Sequence, residues 1–134
     1  MLRLLSDSTK LRILLLLSRK ELCVCQIMAV LGVSQSLISH NLKMMRDAGL
    51  LSERRQGKLI FYSVSKQISA PSRRIISSLS EALRTDRILT EDLSWLMKCE
   101  ELRTRTGRCD MKTFAGFMAE RHKRTGAVAR RITQ

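Results

Sequence analysis

Cys23 and Cys25 stand two residues apart inside Glu21-Leu22-Cys23-Val24-Cys25. Paired thiolates are soft donors that select soft ions, and they are open to oxidation. On a regular helix, residues i and i+2 point about 200° apart. Cys23 and Cys25 could therefore share one ion only if the start of their helix distorts. Cys99 and Cys109 supply two further thiols, ten residues apart near the other end of the chain. A lone cysteine is more often a small packing residue than a ligand, which weighs more on Cys99 and Cys109 than on the close pair. Thiol oxidoreductases use Cys-x-x-Cys in a strand–helix unit. That spacing is missing, so no catalysis is expected.

The elements that must position these thiols are mainly helical. Aromatic residues make up 4% of the 134 residues and there is a single Pro, against 44% hydrophobic residues. The core must then be built from Leu, Ile, Val and Met on helices. Ser8-Thr9 can cap a helix to about Ser18 whose apolar residues run almost all the way round, as in a buried central helix. A second helix is expected over Leu22 to Leu31, stopped by Gly32. Ser34 caps a third to Ala48, with Leu37, Ile38, Leu42, Met45 and Ala48 on its buried face. Residues 50–55 and 59–64 read as a hairpin around Gln56-Gly57-Lys58. Pro71 opens another helix, with Ile75, Ile76, Leu79, Ala82 and Leu83 as its stripe. A further helix covers Leu89 to Leu102, with Leu93, Leu96 and Met97 on one side. Gly107 breaks it, Phe114, Phe117 and Met118 mark a last short helix, and a basic tail frays from Lys123 onward.

Charge divides the chain. Residues 1–65 hold 10 Lys and Arg against 4 Asp and Glu, residues 66–97 hold 5 against 4, and residues 98–134 hold 10 against 4. The net charge of +13 exceeds what solubility needs, so the basic ends suit a polyanion and the near-neutral middle a protein partner. Apolar runs such as Ile13 to Leu17 are too short to cross a bilayer. Four cysteines without a signal peptide suggest reduced thiols in a cytoplasm.

Two helices joined at Gly32 and followed by a basic hairpin form the order of a winged helix-turn-helix. An α-helix fits the major groove of DNA, and its N-terminal residues reach base edges. Gln35, Ser36, Ser39 and His40 hold that end of the third helix, beside Ser34 and Lys43. Arg54, Arg55 and Lys58 on the wing would hold phosphates. Several motifs now resemble the ArsR/SmtB family of metal- and metalloid-responsive repressors. They are Ser6-Asp7-Ser8-Thr9-Lys10-Leu11-Arg12-Ile13-Leu14, the Glu21–Cys25 segment, Ser34 to Lys43, and Gly57-Lys58 with Phe61-Tyr62 in the wing. The resemblance covers about residues 2–84 and is most specific to the arsenic-responsive branch.

That resemblance implies a homodimer on a palindromic double-stranded DNA operator. Half-sites would lie roughly 34 Å apart, and Tyr62 joins the wing residues near DNA. Dimer contacts would come from residues 2–6 and about 70–84. Residues 1–84 would form the DNA-binding and dimerisation domain, and residues 85–134 a basic helical C-terminal extension, partly flexible. No resident cofactor is needed. The inducer would be As(III) or Sb(III), a metalloid that takes three sulfurs in a pyramid, whereas zinc prefers four ligands. The best-known arsenic signature carries a third cysteine where this chain has Met28, so the third thiolate must be absent or come from elsewhere, and Cys109 or Cys99 could reach over from the same subunit or its partner. Cys109 is favoured because it follows the Thr104 to Arg108 segment, taken as flexible. Two thiols alone would suit a monosubstituted arsenical. His40 and His122 are the only histidines, which argues against a histidine-rich zinc site. The alternative signal is oxidation or sulfide, through a bridge between the two tail cysteines, or cadmium or lead. Inducer binding would unwind the start of the second helix.

Overall fold

A computed structural model describes the backbone of residues 7–132, with side chains through residue 124 apart from Met111. The expected dimer contacts at residues 2–6 lie outside the described residues. Among the described residues, six helices and three short strands follow in the order α1 (Ser8–Arg19), β1 (Leu22–Cys23), α2 (Val24–Leu31), α3 (Gln35–Asp47), β2 (Leu51–Gln56), β3 (Leu59–Val64), α4 (Ala70–Ala82), α5 (Arg87–Thr106) and α6 (Met111–Ile132). The sheet is antiparallel in the order β1-β3-β2. This is the mainly α winged helix-turn-helix the sequence implied. No described helix is long and apolar enough to cross a membrane.

Local chemistry sets the boundaries. Asp7, not Ser8 or Thr9, caps α1 by accepting hydrogen bonds from the Thr9 and Lys10 N–H groups, as a carboxylate at a helix start does. Ile13 to Leu17 are all buried, so α1 is the central helix. Gly32 ends α2 in the left-handed region at φ 67°, where a side chain would be strained. Ser34 caps α3 through the Leu37 N–H. The wing turns on Gly57-Lys58, with Gln56 paired to Leu59 and Gly57 at φ 61°, which is the left-handed start that a two-residue hairpin turn requires.

Several expectations need correction. The second helix begins at Val24, because Leu22 and Cys23 pair instead with Tyr62 and Phe61 of β3. On α3 the buried residues are Ile38, Asn41, Leu42 and Met45, while Leu37 is 44% exposed and Ala48 is exposed. Asn41 fits inside because its amide donates to the Leu37 carbonyl. On α5, Met97 is 75% exposed, and Trp95, Leu96 and Cys99 turn inward with Asp92. Thr104 to Thr106 are helical, not a flexible segment, and the left-handed Gly107 closes α5. The last helix spans 22 residues, so the chain does not fray at Lys123. It is held by Phe114, fully buried beside Phe117, which stacks edge-on against Trp95. Helices α5 and α6 thereby share one core with α1, α2 and α3.

Candidate thiol site and nucleic-acid interface

The thiol site forms where β1 becomes α2. Cys23 is the N-cap of α2, with extended backbone at φ −87° and ψ 168°. Cys25 is the second residue of the helix. The two are thus not both on a regular helix, and the distortion expected of a shared ligand is already present in the backbone. Gln26 builds the junction. Its carboxamide oxygen accepts from the Cys23 N–H at 3.1 Å, and its amide nitrogen donates to Glu100 at 3.0 Å. Glu100 is also paired with Lys20. Gln26 is fully buried. A polar residue three after a helix cap is the one available hint of it in the sequence.

Cys109, from the connection between α5 and α6, brings its sulfur to 2.8 Å from that of Cys23. All four cysteines are unbridged thiols. The Cys23 thiol is pulled down to about 6, first by a hydrogen bond from Cys25, with Cys109 and the N–H groups of the helix start adding to it against the effect of burial. A helix N-terminus favours a thiolate in this way. The negative sulfur of Cys23, with burial, pushes the Cys25 thiol up. Burial and then Cys23 push Cys109 up to about 12. Cys99 is fully buried on α5 and is raised to about 12 mainly by that burial. The structure therefore gathers Cys23, Cys25 and Cys109, and leaves Cys99 in the core. Among the described residues, no three His, Cys, Asp or Glu side chains already stand as a metal-holding set. Sulfur donors alone fit a soft ion and not a hard one. Met28, at the position of the third cysteine of the arsenic signature, packs in the core.

The other end of α2 is built differently. The Arg12 guanidinium grips Asp92 through two bonds of 2.8 Å and reaches the Leu31 carbonyl at 3.2 Å. Arg121 of α6 donates to the Val30 carbonyl at 2.8 Å, to Asp92 at 3.2 Å and to Glu91 at 3.1 Å. Two arginines held by one buried carboxylate thus satisfy carbonyls that a helix end leaves without partners. Nothing in the local sequence signalled these residues, because they meet across 29 and 80 positions.

Apart from Tyr62, the candidate DNA-contacting residues are exposed. Ser34, Gln35, Ser36, Ser39, His40 and Lys43 lie on the outer side of α3, and Arg55 and Lys58 on the wing. Arg54 is engaged already. It pairs with Glu21 at 2.6 Å and lies 4.8 Å above the Phe61 ring. Tyr62 does not join this face. It is 9% exposed on β3, where burial raises its hydroxyl pKa. His122 is exposed on α6.

Residues 7–53 match the family described as bacterial regulatory protein, arsR family. The chain is 45% identical over 75 residues to the arsenical resistance operon repressor of Escherichia coli K12, covering 55% of this chain and 64% of that one. It spans about half the length of two further relatives, the SmtB homolog of Synechocystis and arsenic regulator ArsR1 of Pseudomonas putida. Among solved structures, HlyU from Vibrio cholerae is 30% identical with a TM-score of 0.55, covering 60% of this chain and 85% of that one. The AntR antimony-specific transcriptional repressor is 27% identical with a TM-score of 0.52, covering 63% and 74%. The matched residues take in the exposed face of α3, the Cys23–Cys25 junction and the start of the first wing strand, and on that evidence residues 7–53 belong to the arsR family of bacterial regulatory proteins.

Proposed function

We propose that this chain is a transcriptional repressor that holds its operator DNA as a homodimer. It releases that DNA when trivalent arsenic or antimony binds Cys23, Cys25 and a thiol of the C-terminal segment. The observation that carries this reading is the gathering of thiols at the start of α2, directly ahead of the exposed helix α3. The E. coli relative is an arsenical resistance operon repressor and the AntR relative an antimony-specific one, which supports the choice of ion. In this reading Gln35, Ser36, Ser39 and His40 meet base edges, while Ser34, Lys43, Arg55 and Lys58 hold backbone. Arg54 joins them on leaving Glu21. Residues 1–84 carry DNA binding and dimerisation, and residues 85–134 complete the thiol site, in the cytoplasm. The second subunit would cover α4, whose stripe has one buried residue, Ile76, and leaves Ile75 41% exposed.

The signal has a short path to the DNA face. Cys23 is paired in the sheet with Phe61, and Arg54 bridges that ring to Glu21, two residues before Cys23. A ligand that draws Cys23 toward Cys25 and Cys109 pulls on β3 and so on the wing. Unwinding of α2 is not required. The test is fluorescence anisotropy of the reduced protein on its own upstream promoter DNA, titrated with arsenite. Release is expected, and it should vanish in Cys23→Ser and Cys25→Ser. Tight binding that arsenite and antimonite leave untouched would overturn the choice of signal.

The 2.8 Å contact also favours a second reading, oxidation of Cys23 with Cys109 and not of the two tail cysteines. A hydroperoxide would take two electrons and two protons from the pair, leaving a disulfide, water and an alcohol. Release by hydroperoxide alone, reversed by a dithiol, would identify it.

A further inference from the structure

Resting on the metalloid reading above, we propose that the third thiolate is Cys109 of the same protomer, so that each subunit closes its own three-sulfur site and Cys99 takes no part. Cys109 lies well beyond the family-matched residues 7–53, so this ligand belongs to the chain's own C-terminal segment. Its place is fixed from both sides. Gly107 ends α5 in the left-handed conformation, and Asp110 starts α6 by accepting from the Thr113 N–H at 2.6 Å. Helix α6 is then pinned over α2 by buried Phe114 and by the Arg121 bond to the Val30 carbonyl. The connection between α5 and α6 can therefore lay Cys109 only against the start of α2, where its sulfur touches Cys23.

Cys99 is near but excluded. It sits fully buried in the middle of α5 between anchors that include Trp95 and Leu96, whereas the sulfur that Cys23 touches at 2.8 Å is that of Cys109. To join an ion with Cys23 and Cys25 it would have to move a packed helix. Cys109 would have to move only a short connection. Cys25 and Cys109 are both part-exposed, which gives the ion its way in.

The experiment titrates reduced full-length protein with arsenite and, separately, with phenylarsine oxide, which needs only two sulfurs. The readouts are near-ultraviolet sulfur-to-arsenic absorption and the number of thiols left reactive. Wild type should lose three thiols per arsenite, and Cys99→Ser should match it. Removing residues that merely support a ligand costs about 10- to 100-fold in affinity, so Cys109→Ser should weaken arsenite by at least about 100-fold while phenylarsine oxide binding persists. Cys109→Ala repeats the test should the serine variant fold poorly. Subunit origin is read from mixed dimers of a Cys23→Ser/Cys25→Ser chain with a Cys109→Ser chain. A site within one protomer leaves such dimers without a tight arsenite site, and one restored site per dimer would overturn the proposal. Tight arsenite binding by Cys109→Ser, with loss in Cys99→Ser, would also overturn it and leave the metalloid reading standing. Wild type that binds no arsenite would sink both.

Discussion

The two ends of α2 are made of different chemistry. At its C-terminus, Val30 and Leu31 give their carbonyls to Arg121 and Arg12, and both arginines close on Asp92, which is 3% exposed. At its N-terminus, the helix is held by one glutamine and by sulfur contacts between Cys23 and its neighbours. Buried ion pairs cannot be opened without stranding charge in the core. Thiols can exchange a neighbour for a soft ion at little structural cost. One eight-residue helix thus joins a fixed end beside the Gly32 turn to a chemically responsive end beside β1. In the proposed switch α3 would keep its reference to the core, while the wing, tied to Cys23 through its pairing with Phe61, would take up the change.

The contrast is most exposed to attack at Asp92. Asp92→Ala leaves two guanidinium groups underpaired at the fixed end and should cost about 3–5 kcal/mol. It should be read as a lower urea midpoint with unchanged slope. A loss below about 1 kcal/mol would mean that the pinned end is not pinned. Gln26→Ala tests the other end. It removes the partner of the Cys23 N–H and should cost about 1–3 kcal/mol. A cost larger than that of Asp92→Ala would invert the comparison.

How much of this could be read from the sequence depended on distance along the chain. The Gly32 stop, the Ser34 cap and the hairpin were legible to within a residue or two, because each follows from backbone preferences of adjacent residues. Cys23 and Cys25 were legible as a pair but not as a junction, since the pairing of Leu22 with Tyr62 that ends the helix early is 40 positions away. The same pairing sheet draws Tyr62 inward. Asn41 took an inward place and the expected Leu37 did not, because Asn41 satisfies its amide locally, a gain that periodicity does not weigh. The length of α6 was hidden because its anchors, Phe114 and Arg121, gain their value only against α2 and α5. The touch of Cys109 on Cys23 across 86 positions had no local trace beyond the presence of a thiol.

Smaller effects sharpen the wing's side of the comparison. Arg55→Ala should weaken binding to all DNA sequences and lower the salt slope by about one unit. Unchanged salt dependence would remove Arg55 from the interface. Glu21→Gln breaks an exposed pair with Arg54 and should leave the thermal midpoint unmoved, since such pairs are screened by solvent. Its expected mark is instead a smaller arsenite effect on DNA affinity, and an undiminished effect would detach the Glu21 bridge from the signal.

The most direct test of the account is amide hydrogen exchange of the reduced protein with and without arsenite. Protection should change at residues 20–26, along β3 around Phe61 and over residues 107–110, while the amides of residues 28–31, at the Arg12–Asp92–Arg121 end, keep theirs. Arsenite that loosens α2 along its whole length, the pinned end included, would contradict the account and return the signal to unwinding of the helix.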